Sequence, residues 1–456
     1  MKRYIFYLLN GLIICLTSCQ IGHQYTRPQL DLPQQLVGSS QKDSLSIADM
    51  KWWEIYTDTT LHALIRKTLV HNKDLKIAAA RVKELAAMKR IDYAKLFPQL
   101  DGKVYADKEA ENYGGKNYSS DNAYEAKAIV SWELDLWGNL RWAKDKSMAQ
   151  FLSGIEAQRA LQMSIIAEVA TSYFELVALD NELSIVKQTL EARKEGVRLA
   201  KIRFEGGLTS ETSYQQAQVE FARTATLVPD LERNISLKEN EIAFLAGEYP
   251  YSIQRAVLPE NINLPESLPT GLSSDLLERR PDVRKAEQEL IAANAAVGIA
   301  YTNMFPRLTL TSHYGLESDE LSDILKSPYH FLSGSLLTPL FAMGKNRALL
   351  KAQKSAYEQA CYSYEKSVLS AFKDVRNAIV NFNKMKDIYE SRLKLEQASK
   401  VNVDLSQLQY INGVIGYLDV LDAQRGYFDA QIGLSNAIRD KQIALIQLYK
   451  ALGGGW

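Results

Sequence analysis

Past its first twenty residues the chain has no run of about eighteen apolar residues, so nothing in its body has the length of a membrane-spanning helix. Charge of one sign is also missing: Lys+Arg and Asp+Glu are both 54, which gives no bulk attraction toward nucleic acid. The five histidines, His23, His62, His71, His313 and His330, are scattered without ligand spacing, and no cofactor or metal is expected. No Ser-His-Asp set or phosphate-cradling glycine loop is recognisable. Cysteine is nearly absent. Of Cys15, Cys19 and Cys361, only Cys361 lies in the body of the chain, so no internal disulfide can form there and packing must hold the fold.

What is present begins at the N-terminus. Lys2 and Arg3 precede the apolar stretch "YIFYLLNGLIICL", which ends at Leu16-Thr17-Ser18-Cys19. A short basic segment, an apolar segment and small residues before a cysteine resemble a bacterial lipoprotein signal. The expectation is a signal peptide over 1–18 and a lipid-carrying Cys19. An ordinary cleaved signal with an incidental cysteine is the alternative.

Proline is scarce where it matters most. From Gly138 to Gly206 there is none, and Gly344 to Asn412 is an equally long stretch without one. At about 1.5 Å per residue, each predicts a helix of about 100 Å. In the first, Leu176, Leu179, Leu183, Val186, Leu190 and Val197 follow coiled-coil spacing. In the second, Phe382, Met385 and Tyr389 keep the stripe, but Arg392 and Glu396 interrupt it, so that helix faces water or another chain there.

The chain reads as a doubled unit. Phe97-Pro98-Gln99-Leu100 returns as Phe305-Pro306-Arg307-Leu308. Gly138 and Arg141 return as Gly344 and Arg347, and Phe204, Gly207, Ala217, Gln218 and Gly247 as Tyr410, Gly413, Ala423, Gln424 and Gly453. The predicted organisation is an N-terminal segment over 19–60, a first repeat over 61–250, a proline-rich linker over 251–270 and a second repeat with the C-terminal tail over 271–456. Each repeat is read as helix, hairpin, very long helix, tip and returning helix. The hairpins are placed at about 99–137 and 307–342, the tips at about 205–212 and 411–418.

The hairpins alternate. Tyr124, Ala126, Ala128, Val130, Trp132, Leu134 and Leu136 alternate with Glu125, Lys127, Ile129, Ser131, Glu133, Asp135 and Trp137, and Leu100 to Asp107 does the same. Period two predicts strands with one apolar and one polar face. They suit either a small sheet on a soluble helical body or a membrane barrel. Four strands cannot close a barrel, and hydrocarbon does not tolerate open edges. If these strands span a membrane, several chains must share one barrel, and three would give twelve strands around an aqueous lumen.

Taken together, the lipid signal, "IGHQYTRP" after it, the FP-hairpin-G units and the late phrase "YLDVLDAQR" resemble the TolC/OprM-type outer-membrane factors, the NodT-like lipoproteins. The likeness covers Cys19 to about Gly454. It implies a membrane α+β fold: a homotrimeric 12-stranded outer-membrane β-barrel, continued into the periplasm by a long antiparallel coiled-coil α-barrel. It also implies outer-membrane lipid around the barrel. An inner-membrane transporter of RND type would pass substrates to it through a periplasmic adaptor.

The resemblance gives the repeated glycine phrases a role. Gly206, Gly207, Leu208, Thr209 and Ser210 in the first copy, and Gly413, Val414 and Gly416 in the second, match the tips that meet the adaptor. Plain helix ends with no partner are the alternative. Asp419 and Asp422 lie three apart on one helix face. The resemblance makes them two acidic rings at the periplasmic entrance, whereas acids near a helix N-terminus also simply complement its dipole. The first copy has Ser213 and Gln216 in the matching places. Tyr410, Ile415 and Tyr417 are the expected constriction. The family's locking aspartate and arginine fall on Ser213 and Ile415, so that lock does not carry over.

Two other classes compete. A coiled-coil lipoprotein bridging outer membrane and cell wall would have no use for two-faced hairpins. A wall hydrolase using Asp419 and Asp422 as acid and base would need a built active site around them. The expectation is a passive efflux channel, not an enzyme.

Overall fold

The computed structural model describes residues 20–31, 52–55, 58–112, 119–255 and 275–455. The expected signal peptide, Cys19 and most of the linker lie outside the described residues. After a single helical turn at Trp52–Ile55 come α1 (Thr59–His71) and α2 (Lys73–Ala94), then β1 (Gln99–Glu111) and β2 (Ser119–Leu134). Next are α3 (Asn139–Glu205), α4 (Glu211–Leu245), α5 (Asp275–Arg279) and α6 (Pro281–Thr302). Strands β3 (Arg307–Ser318) and β4 (Pro328–Leu337) flank a 3₁₀ turn, and α7 (Lys345–Ile411) and α8 (Tyr417–Ala451) finish the chain. Helices α3 and α7 both have 67 residues, and α4 and α8 both have 35.

The chain divides into two compact units, one built mainly on Ala80–Glu156 and Arg284–Ser367, the other on Ala157–Val283 and Val368–Trp456. The first unit holds one antiparallel sheet in the order β1-β2-β3-β4. Its register carries the alternation across all four strands. Val104, Ala126, Leu316 and Pro328 make one row of an apolar face, and Leu100, Val130, Ser312 and Leu332 another. The opposite face is mainly polar, with Ile129 and Phe331 as apolar exceptions in the row Asp101, Ile129, His313 and Phe331. There Glu125 pairs with Lys103 at 3.1 Å and with Lys127 at 2.9 Å. Strands β1 and β4 are paired on one side only.

The strands end in different places from those the alternation suggests. β2 stops at Leu134 rather than Trp137, because the Asp135 carboxylate turns to accept the Leu140 and Arg141 N–H groups, each at 3.0 Å, at the start of α3. β4 stops at Leu337 rather than Phe341, two residues before Pro339, which has no N–H for a ladder. At the other end both strands run past the alternation: β1 continues beyond Asp107 to Glu111, and β2 starts before Tyr124, at Ser119.

Also in this unit, Gln20 to Pro28 runs without regular secondary structure against the helices. Trp142 Nε1 donates to the Ile21 carbonyl at 2.9 Å, Asn294 donates to that of His23 at 3.1 Å, and Arg27 makes a two-pronged ion pair with Glu287 at 2.6 and 2.7 Å.

The second unit carries the main core, drawn from α1, α3, α4, α7 and α8: Leu61, Ile65, Tyr173, Leu176, Ile242, Leu445 and Leu448 are fully enclosed. The single helix expected before the first hairpin is in fact two, broken at Asn72. That buried amide donates to the Leu245 carbonyl at 2.8 Å and accepts the Leu75 N–H at 3.0 Å, so it ties the end of α4 to the joint. In the second half Arg280 stands between α5 and α6 and donates to the Ala451 carbonyl at 3.2 Å. Among the described residues no helix is long and apolar enough to cross a membrane.

Candidate functional site at the helical tips

Two turns join the long helices to their returning partners, and both need a left-handed residue. Gly207 has φ +68° and Gly413 φ +76°, a conformation that costs a residue with a Cβ. Each turn closes with the same pair of bonds. Leu208 N–H donates to the Arg203 carbonyl at 2.8 Å and Gly207 N–H to that of Phe204 at 2.9 Å. Val414 donates to Gln409 at 2.9 Å and Gly413 to Tyr410 at 3.0 Å. This is the six-to-one and five-to-two pattern that ends a helix in a Schellman turn. Gly206 keeps a helical bond to Ile202. Leu208 and Val414 stand at the apices, 73% and 70% exposed. Thr209 is partly sheltered, and Ser210 is the first flank of α4, its side chain making no capping bond.

The corresponding flank of α8 is Gly416, and the Asp419 carboxylate accepts its N–H at 3.0 Å. Within one chain, then, Asp419 serves as a helix cap, the plainer of the two readings of that acid. Asp422, one turn on, is exposed. Of the expected constriction residues, Tyr410 and Tyr417 meet, their ring centroids 5.5 Å apart, and the Arg203 guanidinium lies 4.5 Å above the Tyr410 ring. Burial, with Tyr410 beside it, pushes the Tyr417 hydroxyl up to about 12. Ile415 is half-buried between them in sequence.

Farther from the apices is a group that an apolar stripe does not reveal. Along α3 the buried positions run Val186, Arg193 and Ala200, seven apart, so the seam that holds the half-buried Leu190 and Val197 also takes in an arginine. Arg193 is 8% exposed and pairs at 3.1 Å with Glu220 of α4, itself 3% exposed. Arg193 also donates to the Glu220 carbonyl at 3.0 Å and to the Thr224 hydroxyl. From α8, Arg425 reaches the same carboxylate at 2.6 Å. Arg425 first, and Arg193 with it, hold the Glu220 carboxyl below the usual carboxylate range. The available signal was the heptad step onto Arg193 and the arginine that ends "YLDVLDAQR".

The chain thus carries a two-faced, open-edged strand sheet and paired helical hairpins that turn at glycine tips. A family model described as "Outer membrane efflux protein" matches residues 64–248 and again 272–454, and the chain belongs to that family. It is thus an efflux component of the outer membrane. The solvent efflux pump outer membrane protein SrpC of Pseudomonas putida is 32% identical over 461 residues, with 97% of each chain covered. The cation efflux system protein CusC of Escherichia coli O6:H1 is 28% identical over 454 residues, again with 97% of each covered. Among solved structures, the outer-membrane channel OprN has a TM-score of 0.90 at 28% identity, covering 96% of this chain and all of that one. A CusC structure has a TM-score of 0.87 at 27% identity, with 96% and 100% covered.

Proposed function

We propose that the chain is a passive conduit: a Cys19-acylated homotrimer that receives substrates from a periplasmic adaptor and an inner-membrane transporter of RND type. The observation that carries this reading is the sheet. It has a mainly apolar face, in which Ser312 and His330 are polar, a mainly polar opposite face that carries Lys103, Glu125 and Lys127, and two unpaired edges, β1 and β4. In hydrocarbon those edges must pair, and β1 of one copy against β4 of the next does so for all three copies at once. The twelve strands then form one barrel with the apolar face to lipid and the Lys103–Glu125–Lys127 face to the lumen.

The two repeats then give six tips per trimer. Gly206 to Ser210 and Gly413, Val414 and Gly416 offer backbone and exposed apolar apices to the adaptor. Asp419 and Asp422 repeat around the axis as two acid rings, and Tyr410, Ile415 and Tyr417 narrow the passage. Crowding of carboxylates there favours cations. Capping Gly416 uses one oxygen of Asp419 and leaves the other for the ring. Relatives of similar identity are named for different cargoes, cations for CusC and solvents for SrpC, which supports a conduit whose cargo is chosen by the pump.

The test is cross-linking of the two edges. Within one chain β1 and β4 are separated by two strands, roughly 14 Å at the usual spacing, which no disulfide spans. Single cysteines placed along β1 and β4 in a Cys361→Ser background should therefore give covalent dimers and trimers on oxidation. Failure of every edge pair, in protein that inserts into membranes, would refute the shared barrel.

A further inference from the structure

We infer that Glu220 is the latch that holds the two helical hairpins of each chain together behind the tips, and that the entrance opens when its carboxylate parts from Arg425. This rests on the reading of the tips as the entrance, and it supplies what that reading lacks. The positions where the resemblance would place a lock hold Ser213 and Ile415, neither of which can form a salt bridge.

The three residues lie at one level. Glu220 is nine residues into α4, Arg425 eight into α8, and Arg193 twelve before the end of α3, which puts them about 12–18 Å behind the apices. Their bonds are unequal in a way that suits a latch. Arg193 is bound to the first hairpin by the Glu220 carboxylate, the Glu220 carbonyl and the Thr224 hydroxyl. The second hairpin is held at this level by the 2.6 Å pair from Arg425 and by the Phe428 ring, 5.7 Å from the Arg193 guanidinium. Nearer the tip, Arg203 over Tyr410 is the next link between hairpins, and farther away Asn181 donates to Ser435 at 2.9 Å.

The charges allow the pair to separate without leaving a buried ion alone, the usual reason such a group cannot move. When Arg425 leaves, Glu220 keeps Arg193 at 3.1 Å, with Arg223 at 3.9 Å on its outer side. Arg425 is already 42% exposed, and Asp422 stands one turn before it on α8. Opening is then an exchange of partners between two arrangements, each with its ions paired, which is how a packed element becomes bistable. The exchange also links latch and acid ring: Arg425 released from Glu220 turns its charge to Asp422.

The experiment uses the trimer in a Cys361→Ser background, with spin labels on Val219→Cys in α4 and Asp429→Cys in α8. Dilution with unlabelled protein isolates the distance within one chain. Arg425→Ala is the main variant, because it leaves Glu220 paired with Arg193; Glu220→Gln is the second, and Arg425→Lys the conservative rescue. The latch predicts a longer α4–α8 distance in Arg425→Ala and Glu220→Gln, and a wild-type distance in Arg425→Lys. It also predicts an open probability in planar bilayers raised about tenfold in the first two, the scale of one lost charge-assisted bond. Lys187→Ala, which breaks an exposed pair with Glu232, should change neither readout. An unchanged distance in a folded Arg425→Ala trimer overturns the latch. A longer distance without added conductance keeps the latch and rejects the tips as the entrance.

Discussion

Gly413 and Gly247 have nearly the same backbone, φ +76° and +72°, but opposite surroundings, so alanine at each separates conformational cost from steric cost. A Cβ on Gly413 meets nothing within 4 Å. Gly413→Ala should therefore cost only the left-handed penalty, about 1–2 kcal/mol, confined to the tip. A Cβ on Gly247 would collide with the His71 carbonyl oxygen and lie 2.7 Å from its carbon and 3.2 Å from Asn72 N. Both neighbours are backbone at the joint between α1 and α2, where Asn72 is also bonded to Leu245. Adding about 1–3 kcal/mol of overpacking brings Gly247→Ala to about 2–5 kcal/mol. Gly453, φ +86°, has its nearest atoms at 3.3 Å and should fall between the two. Hydrogen exchange by mass spectrometry on detergent-purified protein reads the difference. Gly413→Ala should lower protection about 5- to 30-fold around Leu408–Val414 and nowhere else. Gly247→Ala should lower it across α1, α2 and the end of α4 together. Equal, local effects of the two substitutions would refute the argument.

Asn72→Ala removes two bonds from a buried position and should cost about 1–3 kcal/mol in thermal unfolding, with loss of protection starting at Leu75 and Leu245. Asp135→Ala should fray the start of α3 at a cost of about 1–2 kcal/mol, seen as faster exchange at Leu140 and Arg141. The Glu220 carboxyl is held below its ordinary range in the folded chain, so its contribution is fully present above the unfolded value of about 4.3 and is lost as pH falls through the lower folded value. The α4–α8 spin-label distance should accordingly stay constant from about pH 8 to 5 and lengthen only in stronger acid; lengthening near neutral pH would contradict the pairing.

The parts of the molecule legible in the sequence are those with a period. Two proline-free stretches became helices of 67 residues, and the alternation from Tyr124 to Leu134 became a strand whose faces continue through its neighbours. What was illegible depends on single side chains reaching across the fold. Asp135 ends β2 by capping the next helix, and Asn72 splits a helix in order to hold the Leu245 carbonyl. Neither act changes the hydrophobic pattern around it. The tips were readable because a left-handed turn demands glycine at Gly207 and Gly413. The Glu220 group was not, because a buried ion pair looks in sequence like a solvated face until a third helix supplies Arg425.

The most direct measurement of the proposed conduit is single-channel conductance of the detergent-purified protein in a planar bilayer, beside an Asp419→Ala, Asp422→Ala variant. Small, cation-selective openings blocked by divalent cations are expected from the unaltered protein, and larger openings that have lost the block from the variant. Block and selectivity unchanged in the variant would contradict the acid rings and leave Asp419 as the cap of α8 alone.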